Sequence, residues 1–225
     1  MSMKIRWFRM KSLDRRCIAA LAGKMLVDSF KPERSWGFTT HTSSADYIRG
    51  TFIEKLEIKQ IIDNPIGAPI VYSRTEFRQT RFRLSTRPYN LEISNSPRSA
   101  TAFFNQLCTY LNYDAEIHSP TVECLEWVKG IEKSIGRIKV TDIRLINIPL
   151  STSAKGDFRI SGVDDVRPLI KDAAGGRAYQ IQSLKFVSQR LVGNLSQNGR
   201  VNLESECSAT DIGLLREALL AAEGN

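Results

Sequence analysis

Two short phrases occur in the same order in each half of this chain of 225 residues. The tripeptide Asn-Leu-Glu stands at residues 90–92 and at 202–204, and Ser-Ala-Thr follows it at 99–101 and 208–210. Each pair of phrases lies between a strand-like and a helix-like segment. Because an internal repeat constrains the whole architecture, the pattern predicts two similar halves related by duplication. The alternative is that helix, strands, helix is simply a common order of elements and that the two tripeptides match by chance.

The first half shows helical spacing of apolar residues, then alternation of apolar and charged residues, then helical spacing again. Ser12 is the predicted N-cap of the first helix, because its hydroxyl is of the type that accepts from free backbone N–H groups. The predicted elements are a helix over 12–30, strands over 51–62, 70–86 and 89–94, and a helix over 99–113.

The second half repeats this order. Ser119 followed by Pro120 predicts an N-cap and a first helical residue, since proline is favoured at that position. The predicted elements are a helix over about 120–134, strands over 137–150, 156–160, 179–189 and 200–205, and a helix over 211–222, with a short helix or turn over 164–173.

Short loops between neighbouring strands predict antiparallel sheets, because parallel strands need long crossover connections. We therefore expect an α+β fold of two similar halves, residues 1–115 and 116–225, each running helix, antiparallel strands, helix. Helices should pack against the sheets, and a pseudo-twofold relation between the halves is the natural result of duplication.

The chain is strongly basic, with 32 Lys and Arg against 24 Asp and Glu and a formal net charge of +8. Such an excess favours an anionic partner, although it also serves solubility alone. The four cysteines are scattered without metal-ligand or disulfide spacing, which indicates a reducing cytoplasm. No apolar run reaches the roughly eighteen residues of a membrane span. Neither a cofactor nor a metal is predicted.

Arginines interleaved with aromatic residues make the segment 74–83 the first candidate for contact with a polyanion. Arginines on a sheet neutralise phosphates, and aromatic side chains between them stack on bases. Strand alternation places the first two arginines on one face and the last two on the other, unless a bulge intervenes. The alternative is a solvated strand paired with acidic neighbours. The candidates are Arg74, Arg78, Arg81 and Arg83, with Phe77 and Phe82 between them.

The N-terminal residues Lys4, Arg6 and Arg9 are the second basic cluster. A basic arm of this kind can reach phosphate groups. It can equally be a first strand over Met3 to Met10, and the sequence favours neither.

An enzymatic alternative comes from Asp46, Glu57 and Lys59. Nucleases that use Mg²⁺ combine one carboxylate with a Glu-x-Lys on a strand, where two acids hold the metal and the lysine approaches the phosphate. Any amphipathic strand with alternating charges produces the same tripeptide, so the pattern has low specificity.

The sequence thus predicts a non-catalytic binding or scaffolding module. Its predicted partner is nucleic acid or another polyanion, contacted through Lys4, Arg6, Arg9, Arg74, Arg78, Arg81 and Arg83. One alternative is a protein subunit of a larger assembly with incidental positive charge. The other is the Mg²⁺-dependent nuclease. Oligomeric state and the convergence of the basic clusters do not follow from the sequence.

Overall fold

The computed structural model describes residues 2–11, 13–97 and 99–223, and the chain divides into two compact units. The N-terminal unit is Met10–Glu116, and the C-terminal unit combines Met1–Arg9 with Ile117–Asn225. The sequence placed the division one residue earlier and left the first nine residues with the first half. No helix of the described ranges is long and apolar enough to cross a membrane.

The fold is α+β, as predicted, with more sheet than helix in the described ranges. A short 3₁₀ turn, Arg167–Leu169, comes directly before the helix that begins at Ile170. In chain order the elements are β1 (Met3–Met10), α1 (Arg15–Val27), β2 (Trp36–Ser43), β3 (Tyr47–Ile62), β4 (Ile70–Ser85), β5 (Leu91–Ser94), α2 (Thr101–Tyr110), β6 (Ile117–His118), α3 (Cys124–Ile135), β7 (Lys139–Pro149), β8 (Lys155–Ser161), α4 (Ile170–Ala174), β9 (Gln180–Val187), β10 (Val192–Ser196), β11 (Arg200–Leu203) and α5 (Ala209–Glu223).

In the N-terminal unit, β2, β3, β4 and β5 form an antiparallel meander in that order. Its core lies on one sheet face, where Phe103 of α2 stacks on Phe82 with ring centroids 5.1 Å apart. Gly50 of β3 makes room for that ring, since a Cβ there would lie 3.0 Å from Cζ of Phe82. Aromatic burial of this kind supplies much of the stability of a small sheet.

Helix α1 begins later than the sequence suggested. Asp14 is its N-cap and accepts a hydrogen bond of 2.7 Å from the backbone N–H of Cys17. The predicted cap, Ser12, lies outside the described residues. An aspartate at this position also favours the helix through its charge at the positive end of the dipole.

In the C-terminal unit the sheet order is β8, β7, β9, β10, β11, β1, and β6 pairs with β1. Helices α3 and α5 cover one face of it. Trp127 of α3 meets Trp7 of β1 edge to face at 6.1 Å, and its indole N–H donates to the Leu215 carbonyl at 2.9 Å. Since that N–H is satisfied, the indole is buried without an unpaired polar group.

The predicted start of α3 at Ser119 and Pro120 is wrong. The helix begins at Cys124, and the segment before it is extended, with the Val122 N–H donating to the Gln197 carbonyl at 2.9 Å. Pro120 instead packs against Gly199, whose backbone has φ +69° and no room for a side chain. The tertiary contact with this turn therefore outweighs the local helix signal.

Both units run helix, antiparallel strands, helix, yet the repeated phrases occupy different positions in them. The Asn-Leu-Glu of residues 90–92 opens β5, whereas that of 202–204 closes β11. Ser208 and Asp211 cap α5 reciprocally, but α2 has no side-chain cap at its N-terminus. The structure does not show the duplication, which stays a prediction.

Candidate nucleic-acid interface on the helix-free sheet faces

Each unit has one sheet face without helices, and several arginines and other polar side chains lie on it. In the N-terminal unit the strand register sets two neighbouring rows on this face. One row contains Thr51, Arg81 and Ser94, which lie opposite one another across β3, β4 and β5. The next row contains Arg49 and Arg83, directly opposite each other on β3 and β4. Alternation puts these residues away from Phe52 and Phe82.

The opposed arginines Arg49 and Arg83 are the central feature of this face. Directly opposite residues of an antiparallel pair have Cβ atoms about 4.5–5.5 Å apart, and like charges there are destabilising. Within the described part of the chain, the side chains of Arg49 and Arg81 make no ion pair and no hydrogen bond. The acid of this row is Glu92 on β5, which is only 9% exposed. Arg83 therefore lies between Arg49 on β3 and Glu92 on β5, with Arg81 one row away.

Arg83 is held partly inside the sheet surface. Its guanidinium carbon lies 5.4 Å from the centroid of the Tyr47 ring, at a distance where cation–π attraction acts. Its Nε is buried and has no hydrogen-bond partner among the described residues. An unpaired buried donor on a charged group is costly.

The other two arginines of the candidate strand lie elsewhere. Arg74 and Arg78 point to the opposite side of the hairpin, beyond the part that the helices cover, where they face Ile58 and Glu54. No register shift interrupts the pairing of β3 with β4, so the change of face expected from alternation occurs. Arg74 also pairs with Glu76 at 2.7 Å. The four arginines therefore do not form one platform.

The N-terminal basic residues form part of β1, the strand alternative of the sequence interpretation. Lys4 and Arg6 lie on the helix-free face of the C-terminal unit, where Arg6 is directly opposite Arg200 of β11. Arg9 has the opposite parity and forms an ion pair with Glu223 of α5. The structure thus brings two of the three predicted cations together with an arginine that sequence reasoning missed.

The Arg6 guanidinium is already ordered. It lies 4.7 Å from the Phe8 ring centroid and donates to Ser119 Oγ at 3.0 Å, while Arg200 donates to Asn202 Oδ1 at 3.3 Å. Burial, and then the charge of Arg200, lower the pKa of Arg6. Most of that lowering comes from burial, and the nearby charge of Arg200 adds to it.

The nuclease candidates are not brought together. Asp46 lies in the turn before β3, where Arg15 donates to its carboxylate at 2.7 Å. Glu57 and Lys59 share a face farther along the same extended strand. Eleven residues of strand span about 35 Å, so Asp46 and Glu57 cannot hold one metal ion. Among the described residues no group of three His, Cys, Asp or Glu is placed to ligate a metal.

Sequence reasoning missed Arg49, Tyr47 and Arg200. The first two lie within residues 35–50, where the Ser/Thr-rich sequence predicted irregular structure or a short strand pair, and β3 begins at Tyr47. Arg200 was placed on a strand without a partner being assigned. Their significance comes from cross-strand register, which no local pattern encodes.

Comparison with known protein families and with curated proteins gave no match to this chain.

Proposed function

We propose that this protein binds nucleic acid through arginines on the helix-free sheet faces, as a non-catalytic module. The observation that carries the proposal is the presence, in each unit, of two arginines directly opposite each other: Arg49 with Arg83, and Arg6 with Arg200. Such pairs oppose folding. A phosphate bound between them converts the repulsion into two charge-assisted contacts.

Neighbouring side chains suit a phosphate backbone. Ser94 lies in the row beside the first pair, and Asn202 lies beside the second. Hydroxyl and amide groups commonly join arginines in contacting phosphate and sugar oxygens. The overall charge of +8 acts in the same direction by attracting polyanions from a distance.

The test is a fluorescence anisotropy titration of single-stranded DNA, single-stranded RNA and duplex DNA. We expect measurable binding to at least one of them, falling about tenfold or more between about 50 and 200 mM salt because counterions are released. Binding that is absent at low salt, or that is insensitive to salt, contradicts the proposal. Arg16→Gln removes one positive charge from the exposed side of α1 and leaves both arginine pairs intact. It is the control for single Arg→Gln substitutions within those pairs.

A second candidate function, a protein subunit of a larger assembly, is favoured by one separate observation. The outer part of the β3–β4 hairpin carries large apolar side chains in water, among them Ile61, Ile66 and Tyr72. Contiguous exposed apolar surface marks sites of protein association. Light scattering over a range of protein concentrations tests it, and a monomer at every concentration contradicts it.

A further inference from the structure

The outer part of the β3–β4 hairpin, here called the distal hairpin, comprises residues 56–62 and 70–80 with their connecting turn. Its two strands pair with each other in continuous register. In the described part of the chain no other strand pairs with residues 70–80, because β5 joins β4 only at Arg81 to Leu84. The outer edge of β4 therefore presents open backbone over residues 70–79, up to the buried Thr80.

This edge lacks most of the features that natural proteins use to prevent edge-to-edge association. Val71, Tyr72 and Phe77 are each more than half exposed, at 58%, 56% and 55%. The pairing with β3 shows no bulge, and β4 contains no proline. A long, regular, apolar edge strand is a template for another strand.

We infer that the β4 edges of two copies of this chain pair antiparallel about a twofold axis at Thr75, forming a dimer. This inference deepens the second candidate function, association, and does not depend on nucleic-acid binding. Twofold pairing is the commonest symmetry of homo-oligomers, and it makes every contact occur twice.

Charge complementarity identifies the occupant as a second copy. Arg74 and Glu76 flank Thr75 and lie on the same face of β4. When the strand pairs antiparallel with its own copy about Thr75, Arg74 lies opposite Glu76 of the partner subunit, and Glu76 lies opposite Arg74 of the partner subunit. Opposite charges directly across a strand pair are stabilising, so the sequence Arg-Thr-Glu is complementary to itself.

The same register gives further favourable pairs. Tyr72 lies opposite Arg78 of the partner subunit, a combination suited to cation–π contact. Val71 lies opposite Gln79 of the partner subunit, and the open backbone N–H and C=O groups of both edges gain hydrogen-bond partners. No like charges face each other anywhere along residues 70–80 in this register.

The edge of β3 is a weaker competitor. If two copies paired through β3 about a twofold axis at Ile58, Glu57 would lie opposite Lys59 of the partner subunit. The open edge of β3 is shorter than that of β4, however, because β2 pairs with β3 up to Glu54. The Lys55 N–H already donates to the Ser35 carbonyl at 2.7 Å, and the Lys55 ammonium donates to the Pro32 carbonyl at 3.0 Å. Pairing about Ile58 would also place Lys55 against Ile61 of the partner subunit.

Cysteine cross-linking of the full chain reads the register directly. Thr75→Cys places the two thiols across the axis, where opposed Cβ atoms lie about 4.5–5.5 Å apart and a disulfide is within reach. We expect a covalent dimer on mild oxidation of this variant and not of the parent protein. In Ser73→Cys the thiols stand about 13 Å apart, so no such dimer should form.

Ile58→Cys is the control for the other edge. A covalent dimer from Ile58→Cys and not from Thr75→Cys overturns the inference in favour of the β3 edge. Light-scattering dimers without a Thr75→Cys cross-link also overturn it while leaving the second candidate function standing. A monomer at all concentrations overturns both.

Charge reversal tests the complementarity independently. Arg74→Glu places a carboxylate at position 74 opposite Glu76 of the partner subunit, and the twofold axis makes this repulsive contact occur twice. The dimer dissociation constant should therefore rise at least tenfold. Arg74→Glu combined with Glu76→Arg restores the opposite pairs and should restore the dimer. Because both variants lie on an exposed hairpin, circular dichroism should show the same folded chain, and a double variant that stays monomeric contradicts the inference.

Discussion

Arg167 and the opposed pair Arg49 and Arg83 show two different environments for arginine in one chain. Arg167 donates to Glu132 through both terminal nitrogens at 3.0 Å, to Asp165 at 2.6 Å and to the Ile138 carbonyl at 2.9 Å. Arg49 has no ion-pair partner among the described residues and faces another arginine. The charge of Arg167 is balanced by carboxylates of the fold, whereas that of Arg49 is not balanced by a direct ion pair among the described residues.

The electrostatics of the Arg167 cluster agree with a structural role. Hydrogen bonds to Asp165 and then to Glu132 raise the pKa of Arg167. Burial alone would raise the pKa of Asp165, but the hydrogen bonds from Arg167 outweigh it and hold that pKa below its ordinary value. The cluster ties the segment before α4 to the end of α3.

The largest predicted effect is the loss of stability in Arg167→Met. Because Glu132 and Asp165 lose their shared partner in a partly buried site, the free energy of unfolding should fall by about 3 kcal/mol. Urea denaturation measures it. The matched control is Arg144→Met, whose exposed ion pair with Asp157 should contribute less than about 1 kcal/mol. Equal losses of unfolding free energy in the two variants would show that the Arg167 cluster stabilises the fold no more than an exposed ion pair does.

The same variant should show a pH signature. A carboxylate with a lowered folded pKa contributes stability above its unfolded pKa, near 3.9, and loses it as pH falls through the folded value. The difference in unfolding free energy between the native chain and Arg167→Met should therefore be full at pH 7 and shrink from about pH 4 downward. A difference that stays constant to pH 2 contradicts the assigned role of Asp165.

The second arginine environment predicts a loss of binding without loss of stability. Arg83→Gln removes a phosphate contact and should weaken nucleic-acid affinity about fivefold to tenfold at low salt. Anisotropy titration measures this beside Arg16→Gln, which should bind as the native chain does. If both variants weaken binding alike, net charge rather than the sheet face determines the affinity.

The smallest predicted effect has the opposite sign to that of Arg167→Met. Arg49→Gln relieves a like-charge contact, so the free energy of unfolding should stay the same or rise by up to about 0.5 kcal/mol. Urea denaturation at low salt measures it most clearly, since salt screens the repulsion. A loss of 1 kcal/mol or more would mean that Arg49 has a structural role.

The strands that the sequence predicts well are those with strict alternation. Residues 51–62 and 70–86 correspond closely to β3 and β4, because charged and apolar side chains alternate over residues 55–59 and 81–84. The sequence missed β10, where Gly193 and Asn194 weaken the strand pattern. Antiparallel pairing with β9 and β11 on its two sides stabilises β10 as a strand despite its weak local preference for that conformation.

The candidate site was predictable only in part. Arg81 and Arg83 were identified because they belong to a dense basic run, and Lys4 and Arg6 because they lie near a terminus. Their partners Arg49 and Arg200 are isolated arginines in the sequence. Strand pairing brings each opposite a cation that is distant along the chain, and such register depends on the assembled sheet.

The most direct test of the central claim is the salt dependence of binding in the double variant Arg49→Gln/Arg83→Gln. The slope of log affinity against log salt counts the phosphates that cations neutralise. We predict that its magnitude falls by about 1.5 to 2 relative to the native chain, with an unchanged urea midpoint. An unchanged slope would show that the opposed arginines do not contact phosphate.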